Sequence, residues 1–341
     1  VETPAGDPVP DADLIARWTD GTSRATTVSN GKAFIDVESG ADVEIEVDHP
    51  DFIRNQVFTI ENAAAEAVTI TVYRRASARI RVTDTEGPVT RALVTFRKRG
   101  TPVEAVRTDG SGVVQIGPIE AGEYAISVRK PRYLTETRKV RISGTFRREI
   151  AIERGTVTMT VNVTDPHFSP PQPIGNATVR VAGVGVVHTQ PNGIQQIGVP
   201  VNTRLEVRFE KAGYSTVGQT VTVDESAVRL WVQMRRSPSL SVDVFSQRVV
   251  VGERVQLRAT DEYGEAVPNA TVRLDGEIVG STNRNGRAQF RIESEGDHRI
   301  TVSTDGLASA PYTVTGIEAA ETDTDQGTET VRSEEALNAT L

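Results

Sequence analysis

The sequence contains no cysteine, which excludes disulfide bonds, thiolate metal sites and thiol nucleophiles. Only four histidines occur in 341 residues, so a histidine-rich metal centre is not expected. Aromatic residues make up 5% of the chain, too few for a series of stacking platforms. No apolar run approaches the roughly 18 residues that a membrane-spanning helix requires. These absences remove several large classes of protein from consideration.

The chain is acidic overall, with 38 basic and 46 acidic residues and a formal net charge of −8. We therefore expect no basic face of the kind that nucleic-acid binding requires. Apolar residues reach only 37%, which favours several small domains over one large core. Val1 is not a natural translation start and no signal peptide is visible, so we expect a processed or trimmed chain.

An internal repeat is the strongest signal in the sequence. Four glycines lie in turn-forming contexts such as Asn-Gly, spaced 81, 81 and 93 residues apart: Gly31, Gly112, Gly193 and Gly286. Each context tolerates a positive φ and so predicts a tight turn. Twelve residues after each glycine an alternating apolar stretch begins, at Val43, Tyr124, Leu205 and His298. Alternation with a period of two predicts a strand with one buried face.

Other parts of the pattern recur at fixed offsets. A large apolar residue lies 21 positions after each glycine, at Phe52, Tyr133, Tyr214 and Leu307. A final alternating strand is expected after it, around Val68, Ile70 and Val72 in the first copy. Each copy therefore predicts a small antiparallel β-sandwich of about 80 residues, with no convincing helix.

The predicted fold class is all-β, with four tandem immunoglobulin-like or prealbumin-like sandwiches in an extended row. The boundaries are 1–75, 76–154, 155–236 and 237–316, followed by an acidic, disordered tail at 317–341. Short linkers predict semi-rigid seams, at which arginines either pair with acids of the next domain or lie solvated at strand ends. Aligned on the repeat, Val1 matches Val82, so the first copy lacks its first strand. Three explanations remain open: the chain starts within a domain, a neighbouring chain supplies the strand, or residues 1–10 close the edge in another way.

Two family resemblances rest on turn and strand motifs. The second copy, with Thr-Asp-Thr-Glu-Gly-Pro-Val-Thr-Arg-Ala-Leu-Val-Thr-Phe at 83–96, resembles carboxypeptidase-regulatory-like, prealbumin-type domains. The third copy resembles them more loosely. The fourth copy, with Pro-Asn-Ala-Thr-Val at 268–272, resembles the bacterial immunoglobulin-like repeats of invasin and intimin stalks. These resemblances imply a fold and carry no catalytic residues to transfer.

Composition also resembles a group of organisms. Five of the 38 basic residues are lysine, which leaves 33 arginines. Few lysines, many acids and no cysteine are similar to secreted proteins of salt-loving archaea. A GC-rich bacterial genome would produce a similar arginine bias.

Several residues are candidates for modification or ion binding. Four Asn-x-Ser/Thr sequons are candidate N-glycosylation sites: Asn162, Asn176, Asn269 and Asn338. No cofactor is expected, and calcium is the one cation considered. Its candidate carboxylates lie in loops and in the tail, where turn formation and solvation are the alternative roles: Asp109, Asp261, Glu262, Asp323, Asp325 and Glu329.

The remaining chemistry-bearing residues are scattered. His298 matches Tyr124 in the repeat and is expected to be structural, whereas His49, His167 and His188 fall in places with no shared partner. Trp231 is out of phase with the buried residues of its strand and could stack on a sugar ring, as could Trp18, or pack at a sheet edge. We therefore predict that the chain is not an enzyme.

The sequence thus predicts a non-enzymatic, extracellular cell-surface stalk, adhesion or structural protein. One alternative is an accessory region of a larger secreted enzyme or the ectodomain of a membrane sensor. Another is a filament or coat subunit completed by donor-strand exchange. The expected partners are surface proteins or glycans, with a membrane anchor outside this sequence and no nucleic acid.

Overall fold

The computed structural model describes residues 1–318, and every regular element in that range is a β-strand. The described residues accordingly include no helix long and apolar enough to pass through a bilayer. The predicted tail at 317–341 starts too early, because Ile317 is the last residue of a strand; from 319 onwards, with Asp323, Asp325, Glu329 and Asn338, it lies outside the described residues. The described chain forms two compact units, one of residues 1–211 with 216–233, the other of 212–215 with 234–318.

The first sandwich contains one four-stranded antiparallel sheet in the order β2-β1-β3-β5. Its strands are β1 (Asp13–Trp18), β2 (Gly21–Thr26), β3 (Val43–Asp48), β4 (Phe52–Ile53) and β5 (Phe58–Ile60). The next strand, β6 (Tyr73–Asp84), continues into the second sandwich. In β3, Val43, Ile45 and Val47 are buried while the intervening acids are exposed, as the alternation predicts. These side chains form a core of their own with residues such as Leu14 and Val72.

The opposite face of the first sandwich departs from the prediction. The expected last strand does not form over residues 61–70, and Val68 is 39% exposed, although Ile70 and Val72 are buried. In the second sandwich the matching strand pairs with the long strand β6, whereas here the only bridge is between Glu2 and Thr71. Without a long central strand, this segment has no ladder to complete.

The second sandwich has two facing sheets. Its strands after β6 are β7 (Gly87–Pro88), β8 (Leu93–Lys98), β9 (Thr101–Arg107), β10 (Val113–Glu120), β11 (Gly122–Arg129), β12 (Glu136–Ile142) and β13 (Thr145–Ala151). One sheet has the order β10-β6-β13, in which β13 is parallel to β6, and the other has the order β12-β11-β8-β9. Phe96, Ile80 and Ile126 are fully buried between them. Each sheet thus contributes one apolar face to a single core.

The third sandwich repeats this arrangement. Its strands are β14 (Thr156–Asp165), β15 (Gln172–Pro173), β16 (Thr178–Val181), β17 (Gly185–His188), β18 (Ile194–Pro200), β19 (Thr203–Glu210), β20 (Val217–Val223) and β21 (Val228–Gln233). The central strand β14 pairs antiparallel with β18 and parallel with β21, and the second sheet has the order β17-β16-β19-β20. Met159, Val161 and Val163 of β14 are fully buried.

The fourth sandwich belongs to the second unit. Its strands are β22 (Ser241–Val244), β23 (Arg248–Val250), β24 (Arg254–Thr260), β25 (Thr271–Leu274), β26 (Glu277–Ser281), β27 (Arg287–Arg291), β28 (Gly296–Thr304), β29 (Leu307–Ala308) and β30 (Tyr312–Ile317). A three-stranded sheet β22-β24-β27 faces a larger sheet containing β23-β30-β28-β25-β26. Leu257, Ile292 and Ile300 lie in the core between them.

Candidate functional sites: turns, seams and sequons

The four repeat glycines occupy equivalent turns, at Gly31, Gly112, Gly193 and Gly286, with φ values of +71°, +73°, +75° and +71°. Gly112 shows why the position needs glycine: a Cβ there would lie 2.8 Å from the Val82 carbonyl oxygen. A Cβ at any of the other three glycines would lie 2.4–2.5 Å from a backbone oxygen. Both the left-handed backbone and the close strand exclude a side chain.

A buried threonine lies four residues before each turn glycine, and the sequence reasoning missed it. The four residues are Thr27, Thr108, Thr189 and Thr282, each between 2% and 4% exposed. The hydroxyl of Thr108 donates to the Val89 carbonyl at 2.7 Å and accepts from the Ala92 amide at 2.9 Å. The other three repeat both bonds at matching positions. The regular spacing of four residues from threonine to glycine was the signal that could have revealed these paired hydrogen bonds.

The seam between the first two sandwiches is a closed hydrogen-bond network. The Asn55 amide donates to Glu120 Oε1 at 2.8 Å, and the Glu120 amide donates to Asn55 Oδ1 at 2.9 Å. Asn55 Nδ2 donates to the Tyr124 hydroxyl at 2.9 Å, and that hydroxyl donates to the Glu120 carbonyl at 2.7 Å. Burial raises the pKa of Tyr124 to about 12, so the phenol stays neutral.

Lys98 completes the same seam from the second sandwich. Its Nζ forms an ion pair with Glu120 Oε2, and both side chains are only 10% exposed. The ammonium also lies 3.7 Å from the ring centroid of Tyr73 and donates to the Ala121 carbonyl at 3.1 Å. Each oxygen of the nearly buried Glu120 carboxylate thus has a partner, which offsets the cost of its desolvation.

The seam between the second and third sandwiches is built around Asn202 and Glu225. Asn202 Nδ2 donates to the Tyr133 carbonyl and to Glu225 Oε1, both at 2.7 Å. The Thr135 amide donates to the same carboxylate oxygen at 2.7 Å. Hydrogen bonds from Thr135 and Asn202 lower the pKa of Glu225. The carboxylate therefore joins a loop of the second sandwich to the third.

Seam arginines were expected to pair with acids of the next domain. Arg75, which the predicted boundary assigns to the first sandwich, contacts Asp48 of that same sandwich, at 3.1 Å. Arg154 likewise contacts Glu86 of its own sandwich, at 2.7 Å. Its guanidinium also donates to the Tyr133 hydroxyl at 3.3 Å. Neither ion pair reaches an acid of the next predicted domain, so these two arginines fix strand ends within a domain.

His298 has the structural environment expected from its repeat position. It is 8% exposed and its Nδ1 lies 2.7 Å from Asp275 Oδ2, while Nε2 lies 2.9 Å from the Ser294 carbonyl oxygen. These acceptors raise the pKa of His298 above its usual 6.5. The Arg299 amide and His298 together lower the pKa of Asp275. The pair joins the turn between β25 and β26 to strand β28.

The described sequons occupy two kinds of position. Asn176 and Asn269 are exposed, with φ of +55° and +58°, immediately before a buried alanine. Asn162 is half-buried in the middle of β14, between the fully buried Val161 and Val163. Its register partner on the edge strand β21 is Trp231, which is 72% exposed.

The two tryptophans differ in their packing. Trp18, at the end of β1, is half-buried, and a Cβ at Gly21 would lie 2.4 Å from its ring. Trp18 therefore packs on its own hairpin, which fits the edge-packing alternative. Trp231 has no comparable cover, consistent with its predicted outward orientation.

The loop carboxylates considered for calcium close their own turns. Asp109 accepts from the Ser111 and Val113 amides at 2.8 and 2.9 Å, and these bonds lower its pKa. Asp261 accepts from the Tyr263 and Glu265 amides, both at 2.9 Å. Within residues 1–318 no three His, Asp or Glu side chains gather as a metal site would require.

Comparison with known proteins gives distant structural likeness only. No family model and no curated protein matches the chain. Among solved structures, the Bacillus anthracis TIE protein is 13% identical with a TM-score of 0.33, covering 90% of this chain and 57% of its own. The minor pilin GBS52 of Streptococcus agalactiae is 10% identical, with a TM-score of 0.27 and coverages of 48% and 97%. The BcpA major pilin of Bacillus cereus is 13% identical, with a TM-score of 0.23 and coverages of 73% and 97%.

This chain therefore spans 57% of the length of the TIE protein. With TM-scores below 0.5, no functional conclusion follows from these likenesses.

Proposed function

We propose that the chain is a non-enzymatic structural part of an extracellular surface protein, in which successive sandwiches space or display other groups. The observation that carries this proposal is the seam at Asn55 and Glu120, where a nearly buried network joins the first two sandwiches without a flexible linker. A spacer needs such joints because the orientation of one sandwich fixes that of the next only where the connection between them is not flexible.

The proposal is tested on intact cells of the source organism. Antibodies against residues 76–154 are applied before and after permeabilisation, with an antibody against a cytosolic protein as the control. Surface labelling without permeabilisation supports the proposal. Labelling that appears only after permeabilisation contradicts it.

We further propose that the first sandwich accepts an added β-strand, and one observation favours this. Ala33, Ile35 and Val37 pack against the core at alternate positions, yet residues 32–38 belong to no strand in the described structure. The Val1 nitrogen donates to the Gly31 carbonyl at 2.6 Å, the bond that the Val82 amide makes to Gly112. An alternating apolar strand ending at Val1 would pair with residues 32–38.

A peptide with the sequence of residues 73–82 tests this second function. Binding that raises the melting temperature of the first sandwich supports a neighbouring chain as the donor. A chain extended upstream of Val1 by the same ten residues provides the comparison. If the extended chain is stabilised and no longer binds the peptide, the strand position is real and can be filled within one polypeptide. If neither form changes, the proposal fails.

We also propose that Asn176 and Asn269 carry N-linked sugars in the native protein, since both are exposed at the tips of turns. The alternative explanation is conformational: Asp11 and Arg91 have φ values of 58° and 56° at the matching positions, and asparagine favours this region. Peptide-level mass spectrometry of native protein distinguishes the two, because it assigns added mass to one asparagine, and the peptide containing Asn283, which is outside any sequon, is the control. An unmodified mass would leave backbone conformation as the sole reason.

A further inference from the structure

Charge is distributed unevenly among the sandwiches. Residues 76–154 contain 16 basic and nine acidic residues, a formal net charge of +7, whereas residues 1–75 contain six basic and 14 acidic residues, a net charge of −8. The overall acidity of the chain conceals this contrast. The expectation that the chain has no basic face is therefore wrong for the second sandwich.

Four of these 16 basic residues line a cleft on the outer face of the sheet β12-β11-β8-β9. The cleft has a volume of about 430 Å³ and is lined by four basic side chains and one acidic one: Arg97, Arg99, Lys139, Arg141 and Glu123. Its size lies within the range of small-molecule sites and far exceeds one inorganic anion.

Matching clefts occur in the first and third sandwiches with different charges. The cleft of the first sandwich has a volume of about 470 Å³ and is mainly acidic, with Asp42, Glu44 and Glu61 beside Arg17. That of the third has a volume of about 370 Å³ and is mixed, with Arg180, Glu206 and Arg208 as its charged residues. The shape thus follows from the fold, and the basic lining is particular to the second sandwich.

Strand register explains the shape of the basic cleft. Ala125 on β11 is directly opposite Arg97 on β8 and Lys139 on β12, so a small residue lies between two long cations. Neighbouring strands are separated by about 4.8 Å, which places the two cationic stems roughly 10 Å apart. Arg141, opposite Glu123, continues the cationic row along β12.

The cations of this cleft are not neutralised by the protein. Within residues 1–318, none of Arg97, Lys139 and Arg141 has a carboxylate oxygen within 4.0 Å, in contrast to Lys98, which is paired with Glu120. All three are exposed. The contact made by Arg97 is a 3.3 Å bond to the Gly100 carbonyl, which leaves most of its guanidinium free.

We propose that this cleft binds the acidic sugar units of an anionic polysaccharide, an inference that rests on the proposed surface location. Arginine guanidinium groups match the geometry of carboxylate and sulfate groups. Thr95, Ser127 and Thr137 form the adjoining row of the same face and offer hydroxyls to a sugar ring. Tyr124, the aromatic residue of the lining, is 2% exposed and so offers no surface for base stacking, which favours a polysaccharide over a nucleic acid.

The test uses the full chain and defined probes at about 150 mM salt. Polygalacturonate and heparin supply carboxylate and sulfate groups, dextran is the neutral control, and single-stranded DNA and inorganic sulfate test other anions. The cleft variant is Arg97→Gln with Lys139→Gln and Arg141→Gln. The matched control is Arg79→Gln with Arg81→Gln and Arg147→Gln, which removes the same charge from the outer face of the other sheet, where Glu149 lies opposite Arg81.

We expect the cleft variant to weaken binding of an acidic polysaccharide at least tenfold and the control variant to weaken it less than threefold, both with unchanged melting temperature. Equal losses in the two variants would show general attraction to a basic domain and overturn the proposal. So would tighter binding of DNA than of either polysaccharide, or no binding to either. Because this assay is done on purified protein, its failure leaves the surface-labelling result unaffected, and the two proposals fail separately.

Discussion

Asn55 and Glu120, 65 positions apart in the sequence, each donate a backbone amide to the other's side chain, at 2.8 and 2.9 Å. The two residues belong to different sandwiches. Because neither side chain can be removed without leaving a partner atom unbonded, this pair is the most direct place to test the rigidity of the seam.

Asn55→Ala is expected to lower the free energy of unfolding by about 1–3 kcal/mol, since the Glu120 amide and the Tyr124 hydroxyl each lose a partner. It should also speed tryptic cleavage at Arg74 and Arg75, which lie in β6 beside the seam. Urea unfolding and limited trypsinolysis are the measurements. The neighbouring exposed residue Gln56 supplies the control, Gln56→Ala, and equal cleavage rates in the two variants would show that the seam is already mobile.

Thr108→Val is expected to destabilise the second sandwich by about 1–3 kcal/mol, because the Ala92 amide and the Val89 carbonyl both lose a buried partner. Thr108→Ser keeps the hydroxyl and should retain most of the stability. Thermal or urea denaturation distinguishes the two. A serine variant as unstable as the valine variant would attribute the loss to packing of the methyl group instead.

Gly112→Ala is expected to cost more than about 1 kcal/mol, because the residue has a φ of +73° and its Cβ would lie 2.8 Å from the Val82 carbonyl oxygen. Gly110 in the same turn gives a matched control, since a Cβ there meets nothing within 4 Å. The comparison uses the midpoint of urea unfolding. Similar midpoints for both variants would contradict the steric explanation.

The His298–Asp275 pair predicts a pH dependence in the fourth sandwich. Hydrogen bonding to Asp275 and to the Ser294 carbonyl raises the pKa of His298 above 6.5, so the protonated imidazole stabilises the folded state. This contribution is complete below pH 6.5 and is lost as the pH rises through the higher pKa of the folded state. The Asp275 contribution is present above pH 3.8 and is lost as the pH falls through its lowered pKa.

Melting temperatures measured from about pH 5 to pH 8 check this prediction. The wild-type chain should lose stability of the fourth sandwich across the upper part of the range, and His298→Gln should flatten that change. The other three histidines are present in both proteins and cancel in the comparison. Identical profiles would show that the pair does not stabilise the fold.

Local pattern was sufficient for much of the fold. The alternation beginning at Val43, Tyr124, Leu205 and His298 located four strands, and these four residues are 1–8% exposed. The same alternation wrongly predicted a strand at Val68. An apolar period of two indicates a buried face, but it does not indicate whether a neighbouring strand is present to pair with. The Asn55–Glu120 seam could not be predicted, because neither residue has a local signature.

The basic cleft was hidden for a different reason. Net charge averages over the whole chain, whereas Arg97, Lys139 and Arg141 become neighbours only through the register of three strands. Counting charge within each predicted repeat would have revealed the basic second sandwich. The side chains that share its outer face follow only from the pairing.

Strand β6 blurs the boundary expected after residue 75. The Arg75 amide donates to the Asp51 carbonyl of the first sandwich, while the Arg74 carbonyl accepts from the Ala121 amide of the second. The backbone of Arg74 and Arg75 is thus hydrogen-bonded to both sandwiches. Melting of either core would release part of the ladder of the other, so the first two repeats should unfold as one cooperative pair, and splitting the gene between them would damage both halves.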